Sequence, residues 1–278
     1  MKEFDVLKKH DFKFNKKYGQ NFIFDKNLLK AIVADAEIDK STNVIEIGCG
    51  SGSLTNELAN CAKYVVGYEI DNNLKDVLAE TLSEHNNVKI NFMDVMKCSL
   101  KDIEAQFDGE YVMVANLPYY ITTPIIFKFL EEATKLKRLI IMVQLEVAKR
   151  LCATENTSDY GAITVSINYR GDSKITRVVK RNMFTPQPNV DSAVVRIDID
   201  KHKLDGENQK LLHKLARSAF AMRRKTLANN LSVAFSISKQ DATSIIESAG
   251  FAPMIRGEAL SLEDYKVLAR VLDDKIAK

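Results

Sequence analysis

Residues 44–55 read VIEIGCGSGSLT. Val44, Ile45 and Ile47 form a short apolar run, Gly48, Gly50 and Gly52 alternate through the next five positions, and LTNELANCA then carries helical spacing. The pattern predicts a strand, a glycine loop and a helix in that order. Glycines at such a turn permit positive backbone angles and let a ligand approach the main chain. The helix N-terminus beyond them offers unpaired N–H groups.

The same alternation extends in both directions. KNLLKAIVADAEI (26–38) places Leu28, Leu29, Ile32, Val33 and Ala36 on one helical face. Downstream, YVVGYE (64–69), VKINF (88–92), EYVMVAN (110–116) and RLIIMVQ (138–144) read as strands. NNLKDVLAETLSE and TPIIFKFLEEA, the latter with Pro124 in its first turn, read as helices between them. Strands this apolar, separated by helices, predict a parallel sheet covered on both faces. AITVSINY (162–169), KITRVV (174–179) and SAVVRIDI (192–199) read as strands with short links at an antiparallel edge of that sheet. KHKLDGENQ (201–209) is polar and reads as a hinge, and the remainder is helical, with Ser238/Asp241 and Ser261/Asp264 as N-terminal capping pairs. The expected organisation is an α/β domain over 1–200 and a small all-helical domain over 201–278.

Composition narrows the function. The chain has 278 residues, 46% of them hydrophobic and 28% charged. No apolar run reaches the roughly 20 residues of a membrane span, and the first twenty residues lack the apolar core of a signal peptide, so a cytoplasmic protein with no membrane association is expected. Cys49, Cys61, Cys98 and Cys152, like the four histidines, are widely spaced, which predicts reduced thiols and no metal. The net charge of +3 is uneven. Residues 201–278 hold 14 Lys and Arg against 9 Asp and Glu, whereas the first 200 hold 26 against 28. A basic tail on a near-neutral body suits a polyanion.

Acidic residues at the strand ends indicate the ligand. Glu69 ends its strand 21 residues after Gly48, where a carboxylate can accept both hydroxyls of a ribose. Asp94 ends the next strand and is placed to accept from an adenine amino group. The loop is G-x-G-x-G, without the third-glycine spacing of dinucleotide enzymes, and Glu46 precedes it. This arrangement resembles that of S-adenosylmethionine-dependent methyltransferases, whose sulfonium gains from a nearby carboxylate. NLPYY (116–120) then acquires a role. An exocyclic amine on a base is a poor nucleophile, because its lone pair is delocalised into the ring. Two acceptors, the Asn116 side-chain oxygen and the Leu117 carbonyl, would draw the nitrogen toward tetrahedral geometry. Pro118 fixes the turn, and Tyr119 offers a face for stacking, worth about 1–3 kcal/mol per base.

Taken together, KKYGQNFIFD (16–25), EIGCGSGSLT, YEID, FMDVMK, NLPYYITTP, QLEVAKRL, FTPQPNVDSAVV (184–195) and AFAMRRKTLANNL (219–231) resemble, in order and over nearly the whole chain, the ribosomal RNA adenine N6-dimethyltransferase family, and within it the bacterial small-subunit enzymes. Cys49 stands where that family usually has Pro, Ile23 where it usually has Leu, and VVKRNM precedes Phe184 where a proline is common. The resemblance implies a Rossmann-like class I methyltransferase sheet with a helical C-terminal domain. It implies S-adenosyl-L-methionine as cofactor and S-adenosyl-L-homocysteine as product. The cofactor would be held by Gln20, Asn21, Ile23, Glu46, Gly48, Gly50, Glu69, Ile70, Asp94, Val95 and Asn116. Phe184 would stack on the second face of a flipped adenine. The substrate would be two adjacent adenines in a hairpin near the 3′ end of 16S rRNA, in an immature 30S particle, each converted to N6,N6-dimethyladenosine by a monomeric enzyme. RNA would be gripped by Lys16, Lys17, Tyr120, Arg181, Arg223, Arg224 and Lys225, with Lys8, Lys9, Arg177 and Lys180 as further basic groups. The alternatives are a large-subunit (23S) rRNA dimethylase of the macrolide-resistance kind, a DNA adenine methyltransferase, and a chiefly non-catalytic subunit-assembly factor.

Overall fold

A computed structural model describes residues 2–15, 18–118, 121–203 and 207–276. The strands are β1 (Phe22–Ile23), β2 (Asn43–Ile47), β3 (Tyr64–Glu69), β4 (Val88–Phe92), β5 (Tyr111–Asn116), β6 (Leu136–Gln144), β7 (Gly171–Val179), β8 (Phe184–Thr185) and β9 (Ser192–Ile199). The helices are α1 (Lys2–Lys9), α2 (Lys26–Asp35), α3 (Ser53–Cys61), α4 (Lys75–Thr81), α5 (Leu100–Glu104), α6 (Thr122–Glu132), α7 (Leu145–Leu151), α8 (Ala162–Arg170), α9 (Gln209–Ala219), α10 (Leu227–Phe235), α11 (Lys239–Ser248) and α12 (Leu262–Ile276).

Seven strands form one sheet in the order β4-β3-β2-β5-β6-β9-β7. The first five run parallel, and β9 is antiparallel to β6. All five residues of β2 are buried, as are the first five of β5, as a sheet covered on both faces requires. From β2 the chain steps outward to β3 and β4, then returns to β5 on the other side of β2. Strand order therefore reverses between β2 and β5, and such switch points leave a crevice at the carboxyl ends of the strands. Local signals match the elements. Asp25 caps α2 by accepting from Leu28 N, and the Ser238 hydroxyl accepts from Asp241 N at 3.0 Å.

One expected strand is a helix. AITVSINY lies in α8, with Ile163, Thr164, Val165, Ser166, Ile167 and Tyr169 all buried. Its β-branched residues favour a strand locally, and a segment buried on every side has no amphipathic period to contradict them. Packing overrides propensity here, assisted by Thr164, whose hydroxyl accepts from Gly161 N at 3.2 Å and donates to the Arg150 carbonyl at 2.7 Å.

The chain divides into two compact units, one of residues 1–148 and 173–199, the other of 149–172 and 200–278. A single boundary at residue 200 misses the excursion of 149–172 into the helical unit. In that unit Tyr160, Val165 and Tyr169 share a core with Leu212, Leu231 and Leu268, and the Tyr160 hydroxyl donates to the Leu260 carbonyl at 3.1 Å. The sheet unit carries the candidate site. Among the described residues, no helix is long and apolar enough to cross a membrane, and no cluster of His, Cys, Asp and Glu could hold a metal ion.

Candidate active site

A cleft of about 830 Å³, partly open to solvent, lies at the carboxyl ends of β2 to β5. Its lining brings together Gln20, Asn21, Gly48, Gly50, Glu69, Ile70, Asp94, Val95, Asn116, Leu117 and Pro118, residues spread over almost a hundred positions of sequence. Tyr18, Gly19, Phe22, Ile47, Tyr68, Met93, Ile121 and Ile125 complete it without having been anticipated. Most of these are apolar or backbone contributions, which carry no motif of their own.

Glu69, 5% exposed, is fixed by the main chain. Gly50 N donates to its Oε2 and Asp71 N to its Oε1, both at 2.9 Å. Burial pushes its carboxyl up, and those backbone bonds oppose the shift. Each oxygen keeps a lone pair for a further donor. Gly50 has φ +54°, and a Cβ there would lie 2.9 Å from the Phe22 ring, so any side chain would fill the cradle between the loop and that ring. Cys49, the departure from Pro, is buried, with its thiol pushed well up by burial. It is accommodated by Gly67, where a Cβ would fall 2.5 Å from Cys49 Sγ.

Asp94 caps a 3-10 turn (95–97), accepting from Met96 N through Oδ1 at 2.9 Å and leaving Oδ2 for a ligand. Lys128, on α6, secures this turn by donating to the carbonyls of Met96 at 3.2 Å and Cys98 at 2.5 Å. Gln20 is a strut. Its Oε1 accepts from Asn15 N at 2.7 Å and its Nε2 donates to Asp71 Oδ2 at 2.8 Å, so its amide is spent within the protein.

Ile23 and Glu46 line a small adjoining cavity of about 30 Å³, which shares Phe22, Gly48, Gly50 and Asn116 with the main cleft. Glu46 is 1% exposed and its Oε2 has no hydrogen-bond partner. Burial pushes its carboxyl up to about 8, opposed by Thr55 and reinforced by the charge of Glu69.

Asn116 ends β5 with its side-chain orientation determined. Nδ2 donates to the Asn21 carbonyl at 3.0 Å, so Oδ1, an acceptor, is the atom left for a ligand. The Pro118 carbonyl is consumed by Ile121 N at 3.1 Å and the Thr122 hydroxyl at 3.2 Å. The Leu117 carbonyl carries no such bond among the described residues. Two acceptors at adjacent positions, Asn116 Oδ1 and Leu117 O, thus carry no bond to any other described residue.

Phe184 departs from expectation. It is 4% exposed, pairs with Ile23 across the β1–β8 ladder and packs in a core cluster with Leu29 and Met142. It does not line the cleft, because the ladder that ties the FTPQP segment to the N-terminal motif turns the ring inward. Lys16, Lys17, Tyr119 and Tyr120 lie outside the described residues. Arg177 is committed to Asp35, with bonds of 2.6 and 2.7 Å. Lys9 pairs with Glu80, Lys8 sits over the Phe4 ring, and Lys180 pairs with Asp191. Arg181 is exposed but tied through its N–H to Asp191. In the helical unit Arg223, Arg224 and Lys225 are all exposed, yet Arg223 donates to the carbonyls of Ser158 and Tyr160.

The sequence profile of the family described as Ribosomal RNA adenine dimethylase matches residues 11–266. The Ribosomal RNA small subunit methyltransferase A of Clostridioides difficile (strain 630) is 40% identical over 276 residues, 98% of this chain and 96% of that protein. Its namesake in Alkaliphilus oremlandii (strain OhILAs) is 43% identical with the same coverage. A dimethyladenosine transferase from Plasmodium falciparum superposes with a TM-score of 0.76 at 24% identity, covering 92% of this chain and 98% of that one, which establishes the shared fold. The 23S rRNA methyltransferase ErmE superposes with a TM-score of 0.66 at 26% identity, covering 91% and 100%.

Proposed function

This chain belongs to the ribosomal RNA adenine dimethylase family, and on that premise we propose that it transfers methyl groups from S-adenosyl-L-methionine to the N6 amines of two adjacent adenines near the 3′ end of 16S rRNA, in an immature 30S particle in the cytoplasm. The small-subunit target is supported by 40–43% identity to full-length relatives named for that subunit, against 26% to the 23S enzyme.

The residues present fit the cofactor. A glycine cradle that a Cβ would fill, a carboxylate pinned by two backbone donors and a second acid with a free oxygen are what an adenosine with its ribose diol needs. Glu69 would accept from the ribose hydroxyls and Asp94 from the adenine amine, with Ile70, Met93 and Val95 as apolar flanks. Asn21, Ile23 and the glycine loop would hold the amino-acid end. When bound, S-adenosylmethionine supplies an electrophilic methyl group on a sulfonium.

The observation that carries the reading is the bond from Asn116 Nδ2 to the Asn21 carbonyl. A side-chain amide is ambiguous until one end is engaged, and this one leaves oxygen as the exposed end. Asn116 Oδ1 and Leu117 O then accept both protons of a neutral amine, pulling its lone pair out of conjugation. The demand is positioning and electrostatics, with no base of tuned pKa. Tyr119 and Tyr120 supply aromatic faces in this reading. Phe184, being buried, braces Ile23 instead of stacking on the base. Extruding the adenine from its stack requires a grip on the backbone. Arg181, Arg224 and Lys225 would provide it, giving binding that weakens steeply with salt. Arg223 instead holds the carbonyls of Ser158 and Tyr160.

The test is transfer of labelled methyl to undermethylated small subunits and to protein-free large-subunit RNA in parallel, with the modified positions mapped. Dimethyladenosine at two adjacent adenines of the small-subunit hairpin is expected. Label confined to large-subunit RNA would reassign the target.

A further inference from the structure

We propose that Glu46 is the residue by which the cofactor site distinguishes the positively charged methyl donor from its neutral thioether product, an inference that rests on the S-adenosylmethionine reading above. Glu46 is a neutral carboxyl in the free protein and becomes a carboxylate only while the sulfonium occupies the cleft.

Glu46 sits on β2, between Gly67 of β3 and Val114 of β5. It is 1% exposed, and Oε2 has no partner. Glu69 faces it from β3, Cys49 from the glycine loop and the Thr55 hydroxyl from α3. Asn116 and Met142 border the same cavity from β5 and β6. Every one of these groups is acidic or uncharged, and no ion pair reaches Glu46 among the described residues. A carboxylate without water, a cation or N–H donors takes up a proton. Glu69, equally deep, has two backbone donors and so can persist as an acceptor. The contrast assigns the two acids different tasks.

The cavity in front of Glu46 joins the main cleft through Gly48, Gly50 and Asn116, so charge placed there acts on it directly. Donor and product share an ammonium and a carboxylate, and only the donor adds a sulfonium. With the donor bound, the Glu46 carboxyl ionises and its proton passes to solvent. Once the methyl has left, the carboxylate faces a neutral sulfur and recovers a proton. Product retention thereby loses the interaction that favoured the donor.

The experiment is calorimetric titration of the full chain with S-adenosylmethionine and with S-adenosylhomocysteine at pH 7, in buffers of low and high ionisation enthalpy, for wild type and Glu46→Gln. The ligands' own ammonium groups titrate alike in both proteins, so the difference between proteins isolates Glu46. Wild type is expected to release up to one proton more with the donor than with the product. Its donor affinity should climb with pH up to about tenfold per unit between pH 6 and 7.5, more steeply than in Glu46→Gln. In the variant, the excess proton and most of the donor preference should vanish. Equal proton release with both ligands in wild type overturns the inference and leaves the cofactor reading intact. So does a variant that retains the excess. Binding of neither ligand would bring down the reading and the inference together. Should Glu46→Gln fail to fold, the donor–product difference in wild type decides alone.

Discussion

The two rims of the sheet treat the same kinds of residue in opposite ways. At the amino-terminal rim of the parallel strands, acids are matched with arginines. Asp35 is held by Arg177, and Glu37 and Asp198 are each shared by Arg138 and Arg196. Burial alone would raise Asp35 and Asp198, but the arginine bonds and charges hold both below the ordinary range, and Glu37 is lowered chiefly by Arg196. At the carboxyl rim, Glu46 and Glu69 are at least as deep and have no arginine, and both are raised by burial. A rim built for stability neutralises its acids, whereas a rim built for a ligand leaves them without a countercharge.

Four measurements test that contrast. The largest effect belongs to Asn116→Ala, which should slow single-turnover methyl transfer by about 10²–10³-fold, the loss expected for one preorganised polar group at a reacting centre. A drop under tenfold would remove Asn116 from the chemistry. Glu69→Ala should weaken S-adenosylmethionine about 10–100-fold in equilibrium binding, the loss of charge-assisted hydrogen bonds, and unchanged affinity would contradict its role. The third concerns pH in the ligand-free protein. An acid whose folded pKa is raised binds an extra proton when folded, so its share of stability declines as pH climbs from about 4.5 toward 8. Glu46→Gln should therefore melt a few degrees higher than wild type at pH 8 and not at pH 5. Depressed acids act in reverse, their stabilisation being complete near neutrality and lost as pH falls through the folded values. Arg138→Met should accordingly lower Tm by roughly 2–4 °C at pH 7, a modest figure because Glu37 and Asp198 are partly solvated. The deficit should shrink toward pH 3, with KM for the cofactor unchanged throughout. A variant that shifted KM instead would tie the two rims together.

How much of this was legible before the fold is itself instructive. The strand–glycine–helix unit, the spacing to Glu69 and the sequel at Asp94 and Asn116 are local patterns, and each reached the cleft. AITVSINY misleads because its signal is composition without period. The commitments of Arg177 to Asp35 and of Lys9 to Glu80 depend on partners 142 and 71 residues away. Phe184 is turned inward by a two-residue ladder too short to show as a strand. Asn21 was anticipated as a cofactor contact, yet its hold on Asn116 runs through a backbone carbonyl, an atom that every residue possesses.

That carbonyl ties two parts of the molecule together. Asn21 belongs to the Tyr18–Phe22 stretch that walls the cleft, and it also holds the Asn116 amide. The direction in which Asn116 Oδ1 points is therefore set by the wall of the cleft and not by β5 alone, and a displacement of that wall would release the amide to turn.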